Sequence, residues 1–221
     1  MPTLRKLSAW LMVALLFTVI RSVPMHAQTA LPLPIELSSG WQLQDAAKVS
    51  DAGATISSET YHPQNWLAAT VPGTVLTSLV NDGVYPEPLY GENSRPIPES
   101  LNKTSYWYRT TFSVPKQYAH RYVALHFDGA NFRSEVWVNG THVGSIQGAF
   151  IRGRFDITKL VKAGKTAVLA VQVFPQPHPG VPHQHTIANG VGKNGGITAI
   201  DGPTFLSTKI HPSWFRSSGK S

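Results

Sequence analysis

The stretch Glu135-Val-Trp-Val-Asn-Gly-Thr-His-Val-Gly-Ser-Ile146 decides the fold. Runs rich in β-branched and aromatic residues flank Asn139-Gly140, and Asn-Gly is the pair that best tolerates the two positive φ angles of a type I′ turn. The stretch predicts a tight antiparallel hairpin. Outward from it, Ser105-Tyr-Trp-Tyr-Arg-Thr-Thr-Phe112, Tyr122-Val-Ala-Leu-His-Phe127 and Val168-Leu-Ala-Val-Gln-Val-Phe174 are dense in strand-favouring residues and read as core strands. A short helix fits residues 75–81, with Thr74 as its N-cap and Gly83 free to take the left-handed conformation that ends it. A second short helix is predicted to start at Thr158. Roughly eight strands, few helices and no alternation of strand and helix give an all-β chain, a jelly-roll β-sandwich with one or two short helices.

The 221 residues suffice for one domain with a sizeable core. The formal charge of +7 is unevenly distributed: Arg5, Lys6 and Arg21 lie in the first 27 residues, and Lys209, Arg216 and Lys220 in the last 13. Between them, 13 basic residues face 12 acidic ones, so the body is near neutral and a nucleic-acid-binding face is not expected. The absence of cysteine excludes disulfides, thiolate metal sites and a cysteine nucleophile.

Arg5 and Lys6 precede an apolar run over residues 7–20, and small residues stand at Ala27 and Ala30, the layout of a secretory signal peptide. As a helix the run would extend about 21 Å, short of the roughly 30 Å hydrocarbon core of a bilayer. The expectation is a signal segment at residues 1–27 and no stable membrane span after its cleavage. The protein is then secreted or periplasmic, with an uncleaved anchor as the alternative.

Two stretches resist strand formation. Residues 86–98 carry four prolines with Gly91 and Asn93, and residues 175–196 carry four prolines and five glycines. Long loops in compact domains often carry function, and the second contains His178, His183, His185, Asn189 and Asn194.

The order of motifs is distinctive. Trp66, Val71-Pro-Gly-Thr74, Asp82-Gly83, Tyr85-Pro86, Leu89-Tyr-Gly91, Tyr106-Trp-Tyr-Arg109, Phe127-Asp-Gly129, Glu135-Val-Trp-Val-Asn-Gly140 and Phe155-Asp-Ile-Thr158 follow one another along the chain. Together they resemble the N-terminal sugar-binding, galactose-binding-like domain of glycoside hydrolase family 2, in its exo-β-mannosidase and exo-β-glucosaminidase branches. The resemblance covers about residues 35–208, and the expected domain runs over residues 28–208. It implies that the domain packs against further domains of the same enzyme, and that the acid/base and nucleophile glutamates belong to a barrel absent from these 221 residues. Where such enzymes often continue into a Gly-Trp-Asp-Trp motif, residues 209–221 are basic and Ser-rich and keep only Trp214. This tail is read as divergent and disordered, which fits a truncated or frameshifted product as well as a short protein in its own right.

The residues themselves offer no catalytic pair. A glycosidase needs two carboxyl groups about 5 Å apart for retention or roughly 6.5–9.5 Å apart for inversion, one of them held protonated. Asp128 and Asp156 read as turn carboxylates that cap backbone amides, and Glu135 faces either a groove or solvent. His183-Gln-His185 with His178 could present three imidazoles to a metal, but hydrogen-bonded loop histidines are the commoner case, so no metal and no cofactor is assigned. No Gly-x-Ser-x-Gly elbow is present, and Gly190-Val-Gly192 with Gly195-Gly196 lacks the helix and lysine of a phosphate loop.

Sugar recognition uses aromatic faces and a few fixed polar groups. Trp107 and Trp137 are expected in the core, and Trp41 either in the core or at a ligand. Asn93, Arg95, His183, His185 and Asn189 are the candidate carbohydrate-binding residues. Arg109 is expected to pair with a buried carboxylate such as Asp128. Asn102-Lys-Thr104 and Asn139-Gly-Thr141 match the N-glycosylation pattern. Three functions remain open: the carbohydrate-binding scaffold of a secreted family 2 β-glycosidase, inactive alone; a stand-alone lectin-like module; or a periplasmic protein binding metal through the histidines.

Overall fold

Alternation between two apolar faces builds the molecule. In β4 (Tyr106–Ser113), Tyr106, Tyr108 and Phe112 enter the main core while Trp107 and Arg109 point to the opposite side of their sheet. β9 (Thr166–Phe174) is buried on both faces: Ala167, Leu169, Val171 and Val173 enter the main core, and Ala170 joins Trp107 on the other side. A strand buried on both faces reads as a continuous apolar run, as Val168-Leu-Ala-Val does.

The structure is a computed structural model that describes residues 32–148 and 151–175, together with the backbone of the strands at 183–186, 190–193 and 206–213. Its further strands are β1 (Ile35–Glu36), β2 (Gln42–Asp45), β3 (Leu67–Ala68), β5 (Tyr122–Ala130), β6 (Arg133–Val138), β7 (Thr141–Gln147), β8 (Gly153–Asp156), β10 (His183–Thr186), β11 (Gly190–Lys193) and β12 (Leu206–Ser213). One sheet runs β3-β2-β4-β9-β6-β7 and the other β1-β12-β5-β8, while β10 and β11 form a separate two-stranded sheet among the described residues. Every described pairing is antiparallel. The two larger sheets enclose one core in which Leu125 and Phe127 of β5 join Tyr108, Leu169, Val136 and Val138 of the facing sheet. Strands adjacent in a sheet are often distant in sequence, as β4 beside β9 and β5 beside β12, which is the jelly-roll arrangement expected.

The hairpin forms as the sequence dictates. Val138 pairs with Thr141 across Asn139 and Gly140, whose φ angles are 47° and 82°. Asn139 also ties three segments together: its Nδ2 donates to Leu160 O (2.7 Å), its Oδ1 accepts from Val168 N (2.8 Å), and Gly140 N donates to Ser57 Oγ (3.0 Å). The helix at Val75–Asn81 forms with Thr74 Oγ1 accepting from Thr77 N (3.1 Å), and Gly83 takes a φ of 75°.

Three expectations are corrected. No helix starts at Thr158: Asp156 Oδ1 accepts from Thr158 N (3.0 Å) and Thr158 Oγ1 from Val123 N (2.9 Å), so the segment closes as a turn against β5. A different short helix, α1 (Gly53–Ile56), precedes α2 (Val75–Asn81). Residues 209–213, read as a tail without a strand, continue β12, where Lys209 pairs with His126 and Ile210 with Leu125. Backbone pairing along β5 there outweighs the unfavourable local composition. Likewise the 175–196 stretch, too rich in proline and glycine for a central strand, still closes the separate β10–β11 hairpin. Residues 1–27, His178, Asn189, Asn194 and Trp214 lie outside the described residues.

Candidate functional site

The outer face of the six-stranded sheet carries a second apolar cluster. Ile56 of α1 is fully buried against Trp107 and Ala170, with Tyr61, Trp66 and Trp137 packed around them. Gly53 lets the helix sit on the sheet: a Cβ there would lie 2.4 Å from the Trp137 indole. Trp107 and Trp137 are thus packing residues, their ring centroids 5.2 Å apart. Trp41 is resolved as core, with Nε1 donating to Leu37 O (2.7 Å).

Arg109 holds this covering layer from below. Its Nε donates to Ile56 O (2.9 Å), and Nη2 donates to Ser58 O (3.2 Å) and Tyr61 O (3.3 Å), so it clamps the backbone that leaves α1. The expected partner, Asp128, instead lies 4.0 Å from the exposed Arg152. Asp128 cannot serve because it belongs to β5 of the facing sheet, whereas Arg109 points to the outer side of its own sheet, toward α1. Burial pulls the Arg109 pKa below its ordinary value, and neighbouring Tyr61 opposes that shift. Arg109 also lines a cleft of about 830 Å3 with Ser58, Glu59, Thr111, Lys162 and Lys165. The isolated lysines in a turn gave no sequence signal of this cleft.

At the far side of the same sheet face, Glu135 Oε2 and His142 Nε2 are 2.8 Å apart, and the imidazole lies 5.0 Å from the Trp137 ring. The pair arises because the β6–β7 register shifts after Val136, setting Trp137 opposite His142. The Glu135 carboxylate, partly exposed, thus meets a histidine. Asp156 caps the amide of Thr158, as expected. Of the described acid side chains none is buried, whereas a general acid needs an apolar site to stay protonated near neutral pH.

The candidate sugar contacts fall in different places. Asn93 is half-buried in the 86–98 loop and spends Nδ2 on Glu87 O (3.0 Å), while its Oδ1 takes no hydrogen bond among the described residues. Arg95 is 76% exposed and pairs with Glu92 at 3.1 Å. The same loop exposes Leu89 and Tyr90, at 86% and 78%, and a 230 Å3 hollow separates it from α2. His183 and His185 occupy alternate positions of β10, opposite Lys193 and Val191. Among the described residues no group of three or more His, Asp or Glu is placed to hold a metal. Asn102 is buried in a 3-10 turn and Asn139 is fully engaged, so neither glycosylation pattern presents an open amide.

Residues 41–200 match the sequence profile of the glycosyl hydrolase 2 galactose-binding domain-like family. The chain belongs to that family. An exo-β-D-glucosaminidase of Streptomyces avermitilis is 35% identical over 133 residues, 59% of this chain and 14% of the relative. One from Amycolatopsis orientalis is 33% identical over 157 residues, 70% of this chain and 14% of the relative. A mannosylglycoprotein endo-β-mannosidase of Lilium longiflorum is 31% identical over 152 residues, 65% of this chain and 16% of the relative. The chain thus corresponds to about one seventh of the length of these relatives. The crystal structure of the Amycolatopsis orientalis exo-chitosanase CsxA superposes with a TM-score of 0.66 at 23% identity, over 83% of this chain and 21% of that one, and shows the same fold. Its sandwich is the galactose-binding-like domain of glycoside hydrolase family 2.

Proposed function

We propose that this chain supplies the sugar-contacting scaffold domain of an exported β-glycosidase of the exo-β-glucosaminidase type, and that the two carboxyl groups that cleave the glycosidic bond belong to another domain. The observation that carries this reading is the family match over residues 41–200, on a sandwich whose described carboxylates are all at least partly solvated. Glycoside cleavage requires a proton donor held protonated by an apolar site, and none of the described carboxylates is buried in one. The loops, rather than the sheets, are the sugar-facing surface in this reading. The 86–98 loop offers Asn93 Oδ1, the exposed Arg95 guanidinium and the Tyr90 ring, and the 175–196 region adds His183, His185 and Asn189. The outer-face tryptophans supply no competing stacking platform, because they pack against each other and α1.

A few hydroxyl contacts without the rest of a pocket offset little of the ordering and desolvation cost, so binding near millimolar, about −4 kcal/mol, is expected. Titrating glucosamine and mannose while following backbone amide shifts tests this. Shifts at residues 86–98 and 183–193 are expected. Shifts confined to the strand face around Trp137, with both loops silent, would overturn the assignment.

A further inference from the structure

Arg109 is a buried cation whose partners are all neutral. Its side chain is anchored by three carbonyl oxygens through Nε and Nη2, Nη1 takes part in none of those bonds, and no carboxylate pairs with it among the described residues. A buried charge is costly unless it is paired, and carbonyl dipoles compensate it only in part. The residue is 6% exposed and its remaining surface opens on the cleft.

The rest of the cleft reinforces that charge. Lys162 and Lys165 stand exposed on the turn between β8 and β9, which Gly164 N fixes to Val114 O (2.7 Å) and Val114 N to Lys165 O (2.9 Å). Glu59 is the one acid among the lining residues, so three cations face one carboxylate. Thr111 and Thr166 add exposed hydroxyls that bond no partner among the described residues, and Leu160 and Val168 add a small apolar wall. At about 830 Å3 the cleft has the size of small-molecule sites, roughly 300–1000 Å3. Outside this hollow, residues 28–208 carry 10 basic against 11 acidic residues, so the positive excess of that stretch lies in the cleft and suits a compact anion better than an extended one.

We propose that this cleft is a binding site for an acidic saccharide, a uronic acid whose carboxylate meets Arg109, Lys162 and Lys165 and whose hydroxyls meet Thr111 and Thr166. The hydroxylated body of that ligand rests on the sugar-contacting reading above; its negative charge rests on the cleft alone. The site is separate from the 86–98 loop and involves none of its residues.

Amide-shift titrations of the full chain with sodium glucuronate, glucose and sodium acetate at matched ionic strength test it. Glucuronate is expected to shift Thr111, Lys162, Lys165 and Thr166, with an affinity at least tenfold above those of glucose and acetate. The double charge reversal Lys162→Glu, Lys165→Glu is expected to weaken glucuronate at least tenfold with the thermal midpoint unchanged, since both side chains are exposed. Glucose or acetate matching glucuronate, or full affinity in the reversed protein, would overturn the proposal. Should the reversed protein fail to fold, Thr111→Val, Thr166→Val is the second variant, expected to lose affinity severalfold; wild-type affinity there would refute the site. Neutral sugars shifting residues 86–98 while glucuronate leaves the cleft silent would remove this site and keep the loop reading. Silence at both places removes both.

Discussion

At Asn139 one side chain joins the hairpin turn to the turn between β8 and β9 and to β9 itself, through hydrogen bonds of 2.7 and 2.8 Å at a φ of 47°. Asn139→Ala would leave a carbonyl and an amide without partners and place alanine in the left-handed region. A loss of about 2–3 kcal/mol in urea unfolding is expected, and a loss below about 0.5 kcal/mol would show that water replaces the side chain freely. Tyr106 makes a second prediction. Burial, then Asp45 and Tyr85, push its hydroxyl well above the ordinary tyrosine range, and burial also raises Tyr118 and Tyr61. The unfolded chain loses these protons near pH 10 and the folded chain only above that. Their contribution is therefore complete below about pH 10 and is lost as pH rises from there. Tyr106→Phe should move the alkaline unfolding midpoint upward; an unchanged midpoint would mean that other groups govern alkaline unfolding. Such details are partly legible in the chain: Asn139-Gly140 announces its turn, but nothing near Arg109 in sequence announces the carbonyls of Ile56, Ser58 and Tyr61, about 50 residues away.

Among the elements, α1 shows how a short helix is held by what it covers. Four residues are too few to be stable alone, yet Ile56 is fully buried over Trp107 and Ala170, and Gly53 meets the Trp137 ring. Gly53→Ala should push the helix off the indole, costing about 1–3 kcal/mol and changing tryptophan fluorescence. An unchanged spectrum and stability would place α1 farther from the sheet than described. The helix escaped the sequence reading because Gly-Ala-Thr-Ile has low helical propensity and no side-chain cap, so only tertiary burial selects it. For α2 the opposite holds, since Thr74 and Gly83 mark both ends locally. β12 was hidden for a similar reason: Pro212 and the basic composition argue against a strand, and only pairing along β5 reveals one. The long β4, β5 and β9 were legible because their aromatic, β-branched or apolar runs agree with their burial, and β6 and β7 because Asn139-Gly140 joins them.

For the whole molecule, the domain type is carried by the order of its motifs, since no single motif specifies it, and the family match runs from β2 through β9 of the sandwich they build. The candidate sugar contacts were chosen from loop composition, and the structure shows why that signal is coarse: Asn93 partly serves its own loop, while the charged cleft around Arg109 is assembled from four separated segments. The proposed function makes this chain a recognition and support domain of a β-glycosidase, without the carboxyl pair that performs hydrolysis. Its most direct test is the rate at which the purified, folded chain releases nitrophenol from p-nitrophenyl β-D-glucosaminide. Release no faster than in buffer is expected; turnover above the blank that disappears in Glu135→Gln would contradict the proposed function.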